Sequence, residues 1–183
     1  MKRSGIRVLI IFMAATLMLA PVSEARPAGE INAAADTVLS RFTTQVKGAQ
    51  ELLSTAKGVL VFPDVIKAGA GVGAEFGEGA LRIRGRTDGY YNIISASIGF
   101  QLGVQTRSVI VMFMTPEALD SFERKDGWKV GVDGSVAIVT VGVGGSIDTN
   151  RIRSPVIGFI LDPKGLMYNL TLEGSKISRM GGW

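Results

Sequence analysis

Two residue types are missing from this chain: there is no cysteine and no histidine. Without thiols no disulfide can brace the fold and no lipid can be attached through an N-terminal cysteine. Without imidazole there is no Ser-His or Cys-His nucleophile pair, no His or Cys zinc ligation and no base that titrates near neutrality at its ordinary pKa. Cofactors and metals are therefore not expected, and most hydrolytic chemistry is excluded. A long hydrophobic run is missing as well. The longest uncharged apolar stretch, Val8 to Ala20, has 13 residues, too few to cross ~30 Å of hydrocarbon comfortably.

That stretch fits a secretory leader instead. Lys2, Arg3 and Arg7 precede it, Pro21 breaks it, and Ser23-Glu24-Ala25 offers a small-x-small cleavage site. The expectation is a signal peptide over 1–25 and a single domain over 26–183, exported to the periplasm or beyond. No Arg-Arg pair supports a twin-arginine route. Removing the leader takes away three cations and one carboxylate, so the net charge falls from +4 to +2. So small an excess gives no reason to expect a nucleic-acid partner.

Residues 30–56 carry Ile31, Ala35, Val38, Leu39, Phe42, Val46, Ala49, Leu52, Leu53 and Ala56 at steps of three and four. This spacing predicts an amphipathic helix that ends at Gly58. Strand patterns follow. Val59 to Phe62 is an apolar run closed by Pro63, and Leu81-Arg82-Ile83-Arg84 alternates. Asp88-Gly89 signals a turn. Tyr90 to Gln105 and Val109 to Met114 read as strands. Thr115, Pro116 and Glu117 suit the cap and first turn of a short helix reaching about Arg124. Strand patterns resume at Trp128, with Asp133-Gly134 as a turn. Val156 to Leu161 and Leu166 to Leu172 suggest a hairpin around Asp162-Pro163-Lys164-Gly165, and Arg179 to Trp183 a frayed end. The fold class expected is α+β: a predominantly antiparallel β-sheet with an N-terminal amphipathic helix and one short internal helix.

The glycines at 69, 71, 73, 77 and 79 tempt a phosphate-loop reading, but no Gly-Lys-Ser/Thr follows and the spacing misses G-x-G-x-x-G. Strand bends and close backbone packing explain them better. Ser54-x-x-Lys57 matches a penicillin-binding nucleophile motif, yet it lies at a helix end and its companion triplets are missing. Asp133-Gly134-Ser135 and Asp148-Thr149-Asn150 resemble aspartic-dyad sequences only loosely, which leaves a carboxylate hydrolase as a minor alternative. Arg82, Arg84 and Arg86, at period two, would share one strand face. Such a row invites either a phosphate-bearing partner or neutralisation by Asp64, Glu75, Glu78 or Asp88. The N-terminal helix could dock on the sheet or lie on a membrane with Arg41, Lys47 and Lys57 toward lipid phosphates.

The ordered strings Ala56-Lys57-Gly58-Val59-Leu60-Val61-Phe62-Pro63 and Val65-Ile66-Lys67-Ala68-Gly69-Ala70-Gly71-Val72-Gly73 resemble the opening of the SYLF domain family. Tyr90-Tyr91, Gly99-Phe100-Gln101-Leu102-Gly103, Phe113-Met114-Thr115, and Gly127-Trp128 through Asp133 and Ala137 continue the likeness, which spans about 35–170. Tyr90-Tyr91-Asn92 and the lack of accompanying SH3 or zinc-finger domains are similar to the exported bacterial branch. The resemblance implies lipid binding through basic residues and an amphipathic helix; some relatives also bind actin. It places Lys57 and Lys67 on the family's A-[KR]-G and I-K-A-G segments. The expected protein is thus an envelope protein, not an enzyme, that binds anionic phospholipid or membrane surfaces. The lipid-binding residues expected are Arg41, Lys47, Lys57, Lys67, Arg82, Arg84 and Arg86. The alternative is a structural or protein-interaction module with an envelope protein as partner.

Overall fold

The computed structural model describes residues 26–141, 154–165 and 172–181. The leader expected over 1–25, Asp148-Thr149-Asn150 and the strand expected over 166–171 lie outside them. Within these residues the chain runs α1 (Ala28–Gln45), α2 (Ala49–Thr55), β1 (Gly58–Ile83), β2 (Arg86–Phe113), α3 (Pro116–Glu123), β3 (Trp128–Lys129), β4 (Ala137–Thr140), β5 (Val156–Gly165) and β6 (Lys176–Arg179). The class is the expected one: a sheet in order β3-β6-β2-β5-β4, with β1 also on β2, in which only β4 and β5 run parallel.

The helix expected over 30–56 is two helices. Gly48 takes a left-handed φ of 84° and Val46 is extended. The apolar stripe survives the break, because Val46, Ala49 and Leu52 are buried on the side that Ile31, Ala35, Val38 and Phe42 occupy. Periodicity alone could not reveal it. The stripe is sealed against Val59, Val61, Ile110, Met112, Ile157, Phe159 and Leu161, with the Phe42 and Phe159 rings 4.7 Å apart. Docking on the sheet is the arrangement found.

β1 and β2 are far longer than their apolar runs suggest. Pro63, read as closing a strand, and Pro163, read as part of a hairpin turn, sit in bulges, between Phe62 and Val65 and between Leu161 and Lys164. A bulge tolerates a residue with no N–H to give the ladder. Ser108, opposite, donates its hydroxyl to the Pro63 carbonyl at 2.7 Å. No turn interrupts 162–165, and β6 occupies the start of the expected frayed end. The β1–β2 turn lies at Arg84-Gly85, with Gly85 at φ 75°, and not at Asp88-Gly89. Gly89 lies within the strand, with the Arg179 guanidinium 3.0 Å from where a Cβ would be.

A straight 26-residue strand would reach ~85 Å, so β1 must bend. A Cβ on Gly77 would lie 2.9 Å from the Asp64 carbonyl oxygen, and one on Gly79 would collide with the Val61 carbonyl and the Phe62 ring. The two halves of β1 therefore fold back on each other, with the apex near 69–73. The main core, including Leu60, Phe62, Leu81, Ile93, Val111, Phe113, Phe122 and Trp128, fills the closed part of the curl. Helix α3 begins as expected, the Thr115 hydroxyl accepting from the Ala118 N–H at 3.2 Å.

Candidate membrane interface

Beyond the part of the sheet that α1 covers, the bent ribbon of β1 and β2 continues with alternating side chains. On β1, Val65, Lys67, Gly73, Glu75 and Gly77 are buried; Ile66, Ala68, Val72, Ala74 and Phe76 are exposed. On β2, Ile93, Gln105 and Arg107 are buried and Ser95 and Ser97 half-buried, while Ile94, Ala96 and Val104 are exposed. The large exposed members, Ile66, Val72, Phe76, Ile94 and Val104, are between 46 % and 64 % accessible. Phe76 pairs directly with Ile94, and Val104 with Ala68.

This polarity is the reverse of a water-soluble sheet, whose apolar face is buried and whose polar face meets solvent. In 65–77 and 93–106 the charged residues are Lys67 and Glu75 alone, and both lie on the inner face. Glu75 is paired there: one Arg107 guanidinium nitrogen reaches its two carboxylate oxygens at 2.8 and 2.9 Å, with both side chains almost fully buried. Around the uncovered face stand charges at its margins. Arg26 bridges Asp64 at 3.1 Å and Glu78 at 3.4 Å, and exposed Lys164 pairs in register with Thr106.

The cations singled out by sequence do not come together. Arg41 is held by Asp162 at 2.6 Å and by Ser108. Arg82, only 14 % exposed in its side chain, is held by Asp36 at 2.7 Å, the Asn32 carbonyl and Thr87. Lys67 is buried on the inner face. Lys47 is exposed at the helix break and Lys57 between α2 and β1. The shared strand face expected for Arg82, Arg84 and Arg86 does not form, because the turn falls between them: Arg84 occupies it at φ 51° and Arg86 opens β2. The exposed apolar row was missed because Ile66 and Val72 sit in a string that reads as glycine-rich strand core. The legible signal was the alternation itself, with Lys67 and Glu75 on its minor phase.

A concavity of about 260 Å³ is lined by Thr115, Glu117, Ser121, Trp128, Asp133 and Pro155 among others. Its Asp133 carboxylate accepts from the Lys129 N–H at 2.7 Å and from the Lys125 ammonium, and these bonds, the lysine's first, pull its pKa below the usual carboxylate range. A carboxylate so held is a structural clasp and a poor general acid. Among the described residues no group of three or more acidic side chains could hold a metal ion, and no helix is long and apolar enough to cross a membrane.

Residues 94–182 match the family model described as "Ysc84: Las17-binding protein actin regulator". The comparison with curated proteins gave no match. The matched span holds most of β2, all of α3 and strands β3 to β6, including the β2 side of the bent ribbon and the Gly127-Trp128 segment packed in the main core. With the motif strings of β1 joined to it through the β1–β2 ladder, the chain is similar to the Ysc84 family of SYLF-domain proteins over these residues.

Proposed function

We propose that this protein is an exported, non-catalytic contact module of the cell envelope that docks on lipid membranes, with anionic phospholipid favoured. The observation that supports it is the inverted polarity of the bent ribbon: an uncovered apolar outer face over an inner face that holds the ionised groups. Transferring a Val, Leu, Ile or Phe side chain fully from water yields ~1.5–3 kcal/mol. About half of each of the five large side chains is exposed, which makes about 5 kcal/mol available in all before the cost of association. Charge contributes less. Arg41 and Arg82 are in ion pairs, and the exposed cations Lys47, Lys57, Arg84 and Arg86 are scattered. Lys164 at the margin of the apolar face and the small net positive charge supply the preference for anionic headgroups.

Vesicle flotation tests this. The protein is expected to rise with phosphatidylglycerol-containing vesicles, and a Phe76→Asp/Ile94→Asp variant to be recovered at least tenfold less. Any contribution from residues 1–25 is common to both proteins. If neither floats, or both float equally, the reading is wrong. The protein-interaction alternative rests on the family description, which names Las17 binding and actin regulation. It predicts that vesicles recover neither protein.

A further inference from the structure

Building on membrane docking as the function, we infer that the ribbon's apex penetrates the acyl-chain layer of a single leaflet, so that the ligand of this face is hydrocarbon and not the phosphate headgroup. Three observations point this way. First, the outer face carries no charge for eleven residues on each strand, Ile66 to Phe76 and Ile94 to Val104. Strands that face lipid are built so, with apolar side chains outward at every second position and polar ones inward. A surface resting among headgroups would need Lys or Arg within that row.

Second, the length is right. From the apex near residue 71 to Ile66 or Phe76 is five residues, ~16 Å at a strand's rise. The hydrocarbon of one leaflet is ~15 Å, half of ~30 Å. The charged side chains at the margins, Asp64, Glu78, Arg26 and Lys164, lie outside this span and would meet the interface.

Third, the interior suits a medium of low dielectric. The inner carboxylate of Glu75 is neutralised by Arg107 at 2.8 Å within the ribbon itself, and Lys67, the other charged residue of the span, is already buried on the inner face, so neither lies on the surface that would meet hydrocarbon.

The absence of cysteine makes the test clean, since each engineered thiol is unique. Val72→Cys, Val104→Cys, Phe76→Cys, Ile94→Cys and Ile66→Cys each replace an exposed side chain, and Glu51→Cys on α2 is the control. Each is labelled with an environment-sensitive fluorophore and bound to vesicles of phosphatidylglycerol and phosphatidylcholine bearing nitroxides either on the acyl chain or on the headgroup. Acyl-chain nitroxides are expected to quench positions 72 and 104 most and 66, 76 and 94 less, with at least a threefold range and no quenching at 51. Binding with headgroup quenching alone overturns the insertion and leaves membrane docking standing; absence of vesicle binding overturns both. Concentration-dependent dimerisation without lipid, together with labels that acyl nitroxides do not reach, would assign the face to a second copy and also overturn the insertion.

Discussion

At the scale of single residues, the Glu75–Arg107 pair is the most consequential contact in the ribbon. Two ions almost wholly out of water offset much of their desolvation through each other, and removing one partner leaves a bare charge at a cost of ~3–5 kcal/mol. Arg107→Met alone should therefore lower the unfolding free energy by about that amount. Arg107→Met together with Glu75→Leu should recover most of it, since an apolar pair of similar volume is often neutral or better. Denaturant titration of the wild type, both single variants and the double variant measures the coupling. Asp133 supplies a pH effect. Its pKa is depressed, first by the Lys125 hydrogen bond and then by the Lys129 N–H. Its contribution is thus present above the ordinary aspartate value of ~3.9 and is lost as pH falls through the lower folded-state value. Asp133→Asn should lower stability at neutral pH, where the contribution is fully present, and flatten the profile in that acid window, as thermal melts across pH would show.

At the scale of elements, the glycines divide into those that close the curl of β1 and those that do not. Gly79 faces the Val61 carbonyl with no space for a Cβ. Gly79→Val should cost at least the ~1–3 kcal/mol of an overpacked core, because backbone cannot yield as a side chain can. Gly29, in α1, has nothing within 4 Å of a new Cβ. There Gly29→Ala should raise stability by up to ~1 kcal/mol through helix propensity. Opposite shifts in melting temperature for the same class of change check both. The sequence marked α3 closely, since Thr115, Pro116 and Glu117 act through contacts within one turn. It misplaced the β1–β2 turn, which falls at Arg84-Gly85, both at positive φ, and leaves Asp88-Gly89 within β2.

At the scale of the whole molecule, two zones of opposite polarity are joined in one sheet. The closed zone has an ordinary apolar interior and is covered by α1. The bent zone has charge inside and hydrocarbon outside. Membrane affinity drawn mainly from the second zone should resist salt. Raising sodium chloride from 50 to 500 mM screens exposed charges beyond a few ångströms, yet flotation is expected to fall by less than threefold. A loss of tenfold or more would mean that scattered cations, and not the apolar row, hold the protein on the membrane.

Much of this protein was determined by sequence alone. The lack of cysteine and histidine removed whole classes of chemistry, because no fold can supply an absent functional group. The amphipathic period of α1, the cap of α3 and the strand patterns of β2 and β5 were likewise legible, being local effects of side-chain spacing. The tertiary structure decided which charges are free and which apolar residues are uncovered. Arg82 meets Asp36, and Glu75 meets Arg107, across 46 and 32 residues. Whether Phe76 or Phe42 finds a partner depends on where a helix happens to end over a curled sheet. Burial and ion pairing belong to pairs of surfaces, and a linear sequence describes only one surface at a time.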